Sequence, residues 1–295
     1  MKLHVPAHLL LQVISLASFL TAGSSAELPG AGPISALGMY DLHEKNPIIV
    51  KLPKALKEIS GVTMTADGRM FAHNDEVGRI YEIDYSLGVI IKQFSIGSMT
   101  VLGDFEDITI VGDRFFLLSS DGRLYEVREG KNAEHVKYKS YRTGLSVRNN
   151  VEGLCYDPDT NSLLLACKNY PGEGYEHTRT VYSFSLSSMT MAKDPRFVVS
   201  LKTIKREFGL ADFRPSGIAR HPKTGTFFLL DSRGLSILEL SPKGEILAHA
   251  SLPVNIHRQP EGIAIGTDGA LYISDEGIKH GILVRYQPIK STGKH

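Results

Sequence analysis

Short apolar runs alternate with polar turns along most of this chain, and the alternation repeats. The stretch QPEGIAIGTDGALYISDEG (259–277) holds two such runs around a TDG turn, which predicts a β-hairpin. Four other stretches share its plan: EISGVTMTADGRMFAHNDEVG, DFEDITIVGDRFFLLSSDG, NVEGLCYDPDTNSLLLACKN and RPSGIARHPKTGTFFLLDSRG. Each opens on a two-residue signature, Ser60-Gly61, Glu106-Asp107, Glu152-Gly153, Ser216-Gly217 or Glu261-Gly262, at spacings of 46, 46, 64 and 45 residues. That period belongs to a propeller blade.

A third run follows in every unit (GRIYEID, GRLYEVRE, RTVYSFSL, LSILELSP, GILVRYQP), and a fourth in the first four (GVIIKQFSI, AEHVKYKSY, RFVVSLKT, GEILAHASLP). The fifth unit runs out of chain, and NPIIVKLP at 46–53 has the character to supply its outer strand and close the ring. The expected fold is therefore all-β: a single β-propeller of five four-stranded blades over residues 46–295, completed by an N-terminal strand. Six blades is the alternative, with slack only in the longer gap before Ser216 and in residues 27–45. Within that gap KTIKREFGLADF has helical spacing and predicts a short helix or lid.

Residues 1–26 differ from the rest. Lys2, an apolar run from Leu9 to Leu20 and Ser24-Ser25-Ala26 form a signal-peptide pattern with cleavage near Ala26, followed by an extension over 27–45. The mature chain is thus expected in the periplasm or secreted, monomeric and without a membrane span. Thirty-three basic against 32 acidic residues, in no like-charged block, give no footprint for nucleic acid. Trp is absent, which disfavours propellers built on Trp signatures. Cys155 and Cys167 fall diagonally on one hairpin and read as free, buried thiols rather than a disulfide.

In a propeller, the start of the innermost strand and the loop after the second strand share one face of the central channel. Ser60, Glu106, Glu152, Ser216 and Glu261 are therefore expected as a ring, with Asn74, Asp75, Asp121, Asn169, Asp231 and Asp275 around its mouth. Carboxylates converging on a narrow channel must be protonated or compensated. Oxygen ligands without convergent His or Cys suit a hard cation, so Glu106, Glu152 and Glu261 are the candidate metal ligands and calcium the candidate cofactor. Lys168 is the competing internal counter-charge, and plain hydrogen bonding of the glutamates to backbone is a third reading. His73 and His257 are the candidate proton carriers. His177 lies in a long loop, and His221 falls on the opposite face. No nucleophile elbow, HExxH, P-loop or dinucleotide turn is present.

EISGVT, NVEGLCYDPDTNSLLLACKN, PSGIARHPKTGTFFLLDSRG and QPEGIAIGTDGALYISDEG together resemble the SdiA-regulated family of bacterial exported β-propellers. That family is similar in architecture to NHL-repeat propellers and, more distantly, to calcium-dependent gluconolactonase- and paraoxonase-type enzymes and esterase-like phytases. The resemblance implies an exported propeller whose channel can hold calcium. Two functions follow as expectations. The first is a protein that binds a small molecule, peptide or envelope partner on its channel face through Asn74, Asp75, Lys168, Asn169, Asp231 and Asp275. The second is a calcium-dependent hydrolase of a lactone or phosphoester. The segments 168–179 and 202–213 are expected to overhang the channel face.

Overall fold

A computed structural model describes residues 35–289, so the signal-peptide reading at 1–26 lies outside the described residues. Five mainly antiparallel sheets surround one axis. Their inner strands are Ile59–Met64, Phe105–Val111, Val151–Asp157, Pro215–Arg220 and Pro260–Ile265, and they touch in that order around a closed ring. Second and third strands follow the sequence expectation. Strands such as Ser162–Cys167 and Phe227–Asp231 are buried at every position, because each lies in a sheet covered on both faces by its neighbours.

The core is accordingly split into five apolar clusters, one in each gap between adjacent blades. Without Trp, the gaps are filled by Phe, Tyr, Leu and Ile; Phe71 and Phe115 meet edge to face at 4.9 Å between blades 1 and 2. Ring closure is as the fifth unit's missing strand predicted. Ile48–Lys51 pairs antiparallel with Ile282–Tyr286, from Ile48 opposite Arg285 to Lys51 opposite Ile282. The extension before it is tied to blade 4 by Glu239, which is fully buried and accepts from Ser35 Oγ (2.6 Å), Ala36 N (2.7 Å) and Leu37 N (2.9 Å).

Two outer elements depart from the simple repeat. AEHVKYKSY divides: Tyr138–Arg142 is the outer strand of blade 2, while Glu134–Val136 pairs in parallel with Phe94–Ile96 of blade 1 and laces the two blades together. In blade 3, RFVVSLKT stops being a strand at Ser200, whose side chain caps the helix Leu201–Phe208 by accepting from Thr203 N at 3.3 Å. Ile204 of that helix is buried in the cluster between blades 3 and 4, so the helix wedges two blades rather than hanging free as a lid. Cys155 and Cys167 are free and buried, as expected.

Every inner strand carries a register shift at its signature: between Ile59 and Val62, Phe105 and Asp107, Val151 and Gly153, Pro215 and Gly217, and Pro260 and Gly262. The skipped residues include all five ring residues. A bulge leaves its extra residue unpaired and re-aims the side chain, which is how each ring residue turns out of its ladder toward the axis. Packing at the hub is close enough to demand the adjacent glycines. A Cβ on Gly217 would lie 2.8 Å from the Glu261 carbonyl oxygen, and one on Gly262 would lie 2.8 Å from that of Ser60. We expect Gly217→Ala to destabilise the fold by about 1–3 kcal/mol through backbone displacement. Gly38→Ala, where nothing lies within 4 Å, should stay within about 0.5 kcal/mol in the same urea titration.

Candidate functional site at the channel mouth

Three tiers of side chains repeat around the mouth. The bulge supplies the ring: Ser60, Glu106, Glu152, Ser216 and Glu261. Two residues earlier stand Glu58, Asp104, Asn150, Arg214 and Gln259. The second-strand partners of the five strand starts are Asn74, Ser119, Cys167, Asp231 and Asp275. The residues just beyond them, Asp75, Ser120, Lys168, Ser232 and Glu276, form the third tier. Three residues after each ring position, Thr63, Thr109, Cys155, Ala219 and Ala264 line the narrower channel below, a space of about 180 Å³.

Contacts within the tiers show that they form one site. Glu152 is buried, accepts from the Lys168 ammonium and accepts from Asn150 Nδ2 at 2.5 Å. Ser232 Oγ donates to Glu261 at 3.1 Å, and Gln259 Nε2 donates to Glu276 at 2.5 Å. The two ring serines are used structurally: Ser60 Oγ donates to the Glu106 carbonyl (2.9 Å) and Ser216 Oγ to the Pro260 carbonyl (3.1 Å), each stitching one inner strand to the next. No described residue donates to the Glu106 side-chain carboxyl.

The charges are unequal in number and place. Blades 5, 1 and 2 carry Glu58, Asp75, Asp104, Glu106, Glu261 and Glu276 in the tiers, while Lys168 of blade 3 and Arg214 of blade 4 are the only basic residues there. Burial, then Glu152, then Asp104 push the Glu106 carboxyl up to about 9 against the partial relief of Lys168. Glu152 is raised to about 7, burial outweighing its ion pair. Glu276 also reaches about 7, through burial and then the charges of Glu261, Asp75 and Glu58. Burial raises Glu261 and Asp75 as well. Asp75 Oδ1 and Asn74 Oδ1 are buried without a hydrogen-bond partner.

The remaining sequence candidates hold the frame. Asp231 accepts from Arg233 N (3.0 Å) and Gly234 N (2.9 Å) in its own turn, and Asp121 accepts from Ser119 Oγ (2.6 Å) and Arg123 N (3.0 Å). Asp275 accepts from Arg258 N (2.9 Å) and is 2.7 Å from His257 Nδ1, while His257 Nε2 is 2.7 Å from the Tyr286 hydroxyl. This pattern makes Nδ1–H the donor to Asp275 and Nε2 the acceptor from Tyr286. His257 is fully buried with both nitrogens occupied. His73 is fully buried too, its Nδ1 bonded to the Asn74 carbonyl at 2.9 Å, and burial lowers its pKa to about 4. His73 Nε2 has no hydrogen-bond partner among the described residues. Asn169 accepts from Arg214 Nη1 at 3.4 Å.

A calcium ion takes six to eight oxygens. Among the described residues no three Asp, Glu, His or Cys side chains come together closely enough to hold a metal. Glu152 already holds an ammonium, so this donor set does not fit calcium; Lys168 occupies the counter-charge position. Glu58, Asp104, Arg214, Gln259 and Glu276 were not singled out in the sequence. The repeat alignment carried the signal two residues before each signature and one beyond each second strand.

Glu106 and Lys168 should therefore shift stability with opposite sign. The folded pKa of Glu106 lies above its ordinary value, so its contribution is fully present below about pH 4.5 and is lost as pH climbs through 9. Glu106→Gln cannot ionise and should stay close to the parent near pH 5 but exceed it by several kcal/mol at pH 9. Lys168→Met strands Glu152 and should cost about 3 kcal/mol at pH 9, less at pH 5 where Glu152 is protonated. Urea unfolding at both pH values reads all three proteins.

The mouth sits on a fold shared with several enzymes. Glutaminyl cyclase from Myxococcus xanthus superposes with a TM-score of 0.56 at 13% identity, over 83% of this chain and 100% of that one. A luciferin-regenerating enzyme gives 0.52 at 10% identity over 83% and 96%, and a glucose dehydrogenase gives 0.51 at 12% over 81% and 99%. At such identities the likeness is one of fold. No curated protein matches the sequence. The SdiA-regulated family model matches residues 43–278, covering the repeats from the closing strand into the last blade, and the chain belongs to the SdiA-regulated family.

Proposed function

We propose that this protein is an exported binding propeller that receives, at its channel mouth, a small molecule or peptide bearing a cationic group such as an ammonium. The observation that carries this reading is Glu106: a half-buried carboxyl without a described hydrogen-bond donor, surrounded by more acids than Lys168 can offset. A cation delivered there would replace the missing counter-charge and let Glu106 ionise. A cleft of about 730 Å³ opens on the blade 1 and blade 5 side of the mouth, lined by Glu58, Asp275 and Glu276, by Lys51, Lys57, Arg258 and Lys279, and by Ile256, Ile278 and Ile282. Its isoleucines offer room for the apolar body of a ligand whose cationic group reaches the ring acids. No helix among the described residues is long and apolar enough to cross a membrane. The signal-peptide pattern supports export to the periplasm or beyond.

The hydrolase expectation called for carboxylate-held calcium and a histidine at the mouth, and the geometry supports neither. The binding reading makes a pH-dependent claim. Cation binding should expel the Glu106 proton, so affinity for putrescine, read by titration calorimetry, should rise between pH 6 and 9 by up to about tenfold per unit. Glu106→Gln should weaken binding and flatten that slope. Absence of putrescine binding at millimolar concentration would sink the proposal. Lactone or phosphoester turnover that a chelator removes would replace it with the hydrolase.

A further inference from the structure

The second tier contains one residue of the wrong sign for a purely acidic mouth. Where other blades place Glu58, Asp104, Asn150 and Gln259, blade 4 places Arg214. Asn150 and Gln259 show where this tier points, since each donates to a carboxylate of the mouth.

Arg214 is held from behind. Its Nε donates to Asp212 Oδ2 at 2.7 Å and its Nη1 to Asn169 Oδ1 at 3.4 Å. No described residue accepts from Nη2, and the side chain is 36% exposed. Asp212 does not neutralise it, because the same carboxylate also takes Arg179 Nη2 at 2.5 Å while Arg179 Nε bonds the Phe213 carbonyl. Two guanidiniums share one carboxylate. A guanidinium held in place through Nε and Nη1, with Nη2 left without an acceptor among the described residues, is a preorganised donor for an oxyanion. It stands on the same side of the mouth as Lys168, opposite the acids of blades 5, 1 and 2.

We propose that Arg214 recognises an anionic group and that the ligand is a zwitterion, its ammonium over the acids of blades 5, 1 and 2 and its carboxylate on Arg214. The ligand class is that of amino acids and short peptides. A carboxylate fits better than a phosphate, whose second negative charge would face the acids of the same mouth. This inference rests on the cationic-ligand reading above and adds its second pole.

Titration calorimetry with di-, tri- and tetraglycine, their C-terminal amides and putrescine tests it, the series varying the distance between charges. At one length or more the free acid should bind at least tenfold tighter than its amide. Arg214→Gln should erase that advantage and leave the amide within twofold; a merely structural Arg214 would weaken acid and amide alike. Should the variant not fold, the acid-to-amide ratio on the parent still decides. Equal affinities at every length, or putrescine binding without any oligoglycine binding, would overturn the zwitterion and leave the cationic-ligand reading standing. Failure of putrescine as well would overturn both.

Discussion

A five-bladed ring brings five strand starts to one axis, and the side chains there lose water whatever they are. In this protein three of the five are glutamates, and only one, Glu152, receives an ammonium. The shared bulge is the device that makes this unavoidable. Without it the ring residue would stay in register and point into a gap between blades. With it, each side chain is committed to the channel, and the chemistry of the mouth follows from what occupies those positions.

Other features support that arrangement. The glycine after four of the five ring residues lets neighbouring backbones meet, and Ser60 and Ser216 stitch adjacent inner strands by their hydroxyls. Blade 2 has Asp107 in place of the glycine. Its buried carboxyl accepts from Ile108 N at 2.8 Å and Leu154 N at 2.6 Å, stitching the inner strands of blades 2 and 3. Asp231, Asp275, Asp121 and His257 work one layer further out, fixing the turns that carry the third tier. Among the three ring glutamates, Glu152 and Glu261 have side-chain donors, and Glu106 has none among the described residues.

The repeat was legible because burial between blades forces apolar residues at fixed intervals, so the five hairpins, the closing strand at Ile48–Lys51 and the ring positions all follow from spacing. AEHVKYKSY misled because a continuous apolar and polar alternation does not say which neighbour a strand joins; Glu134–Val136 found the free edge of blade 1. His73 and His257 were read at the mouth from their place in the chain. Strand direction sent His73 into the gap beside Phe71, and the Asp275–Tyr286 pair captured His257.

The sequence by itself determined the propeller repeat, the closing strand and the identity of the ring, since each depends only on period and local backbone geometry. That five blades rather than six close the ring was decided by the tertiary structure. Tertiary structure decided the balance of charge. Whether Lys168 meets Glu152, whether three carboxylates converge tightly enough for a metal, and whether Arg214 meets Asn169 are distances between residues separated along the chain. Electrostatic energy in a narrow channel depends on those distances and on burial, and neither is written in the order of the residues.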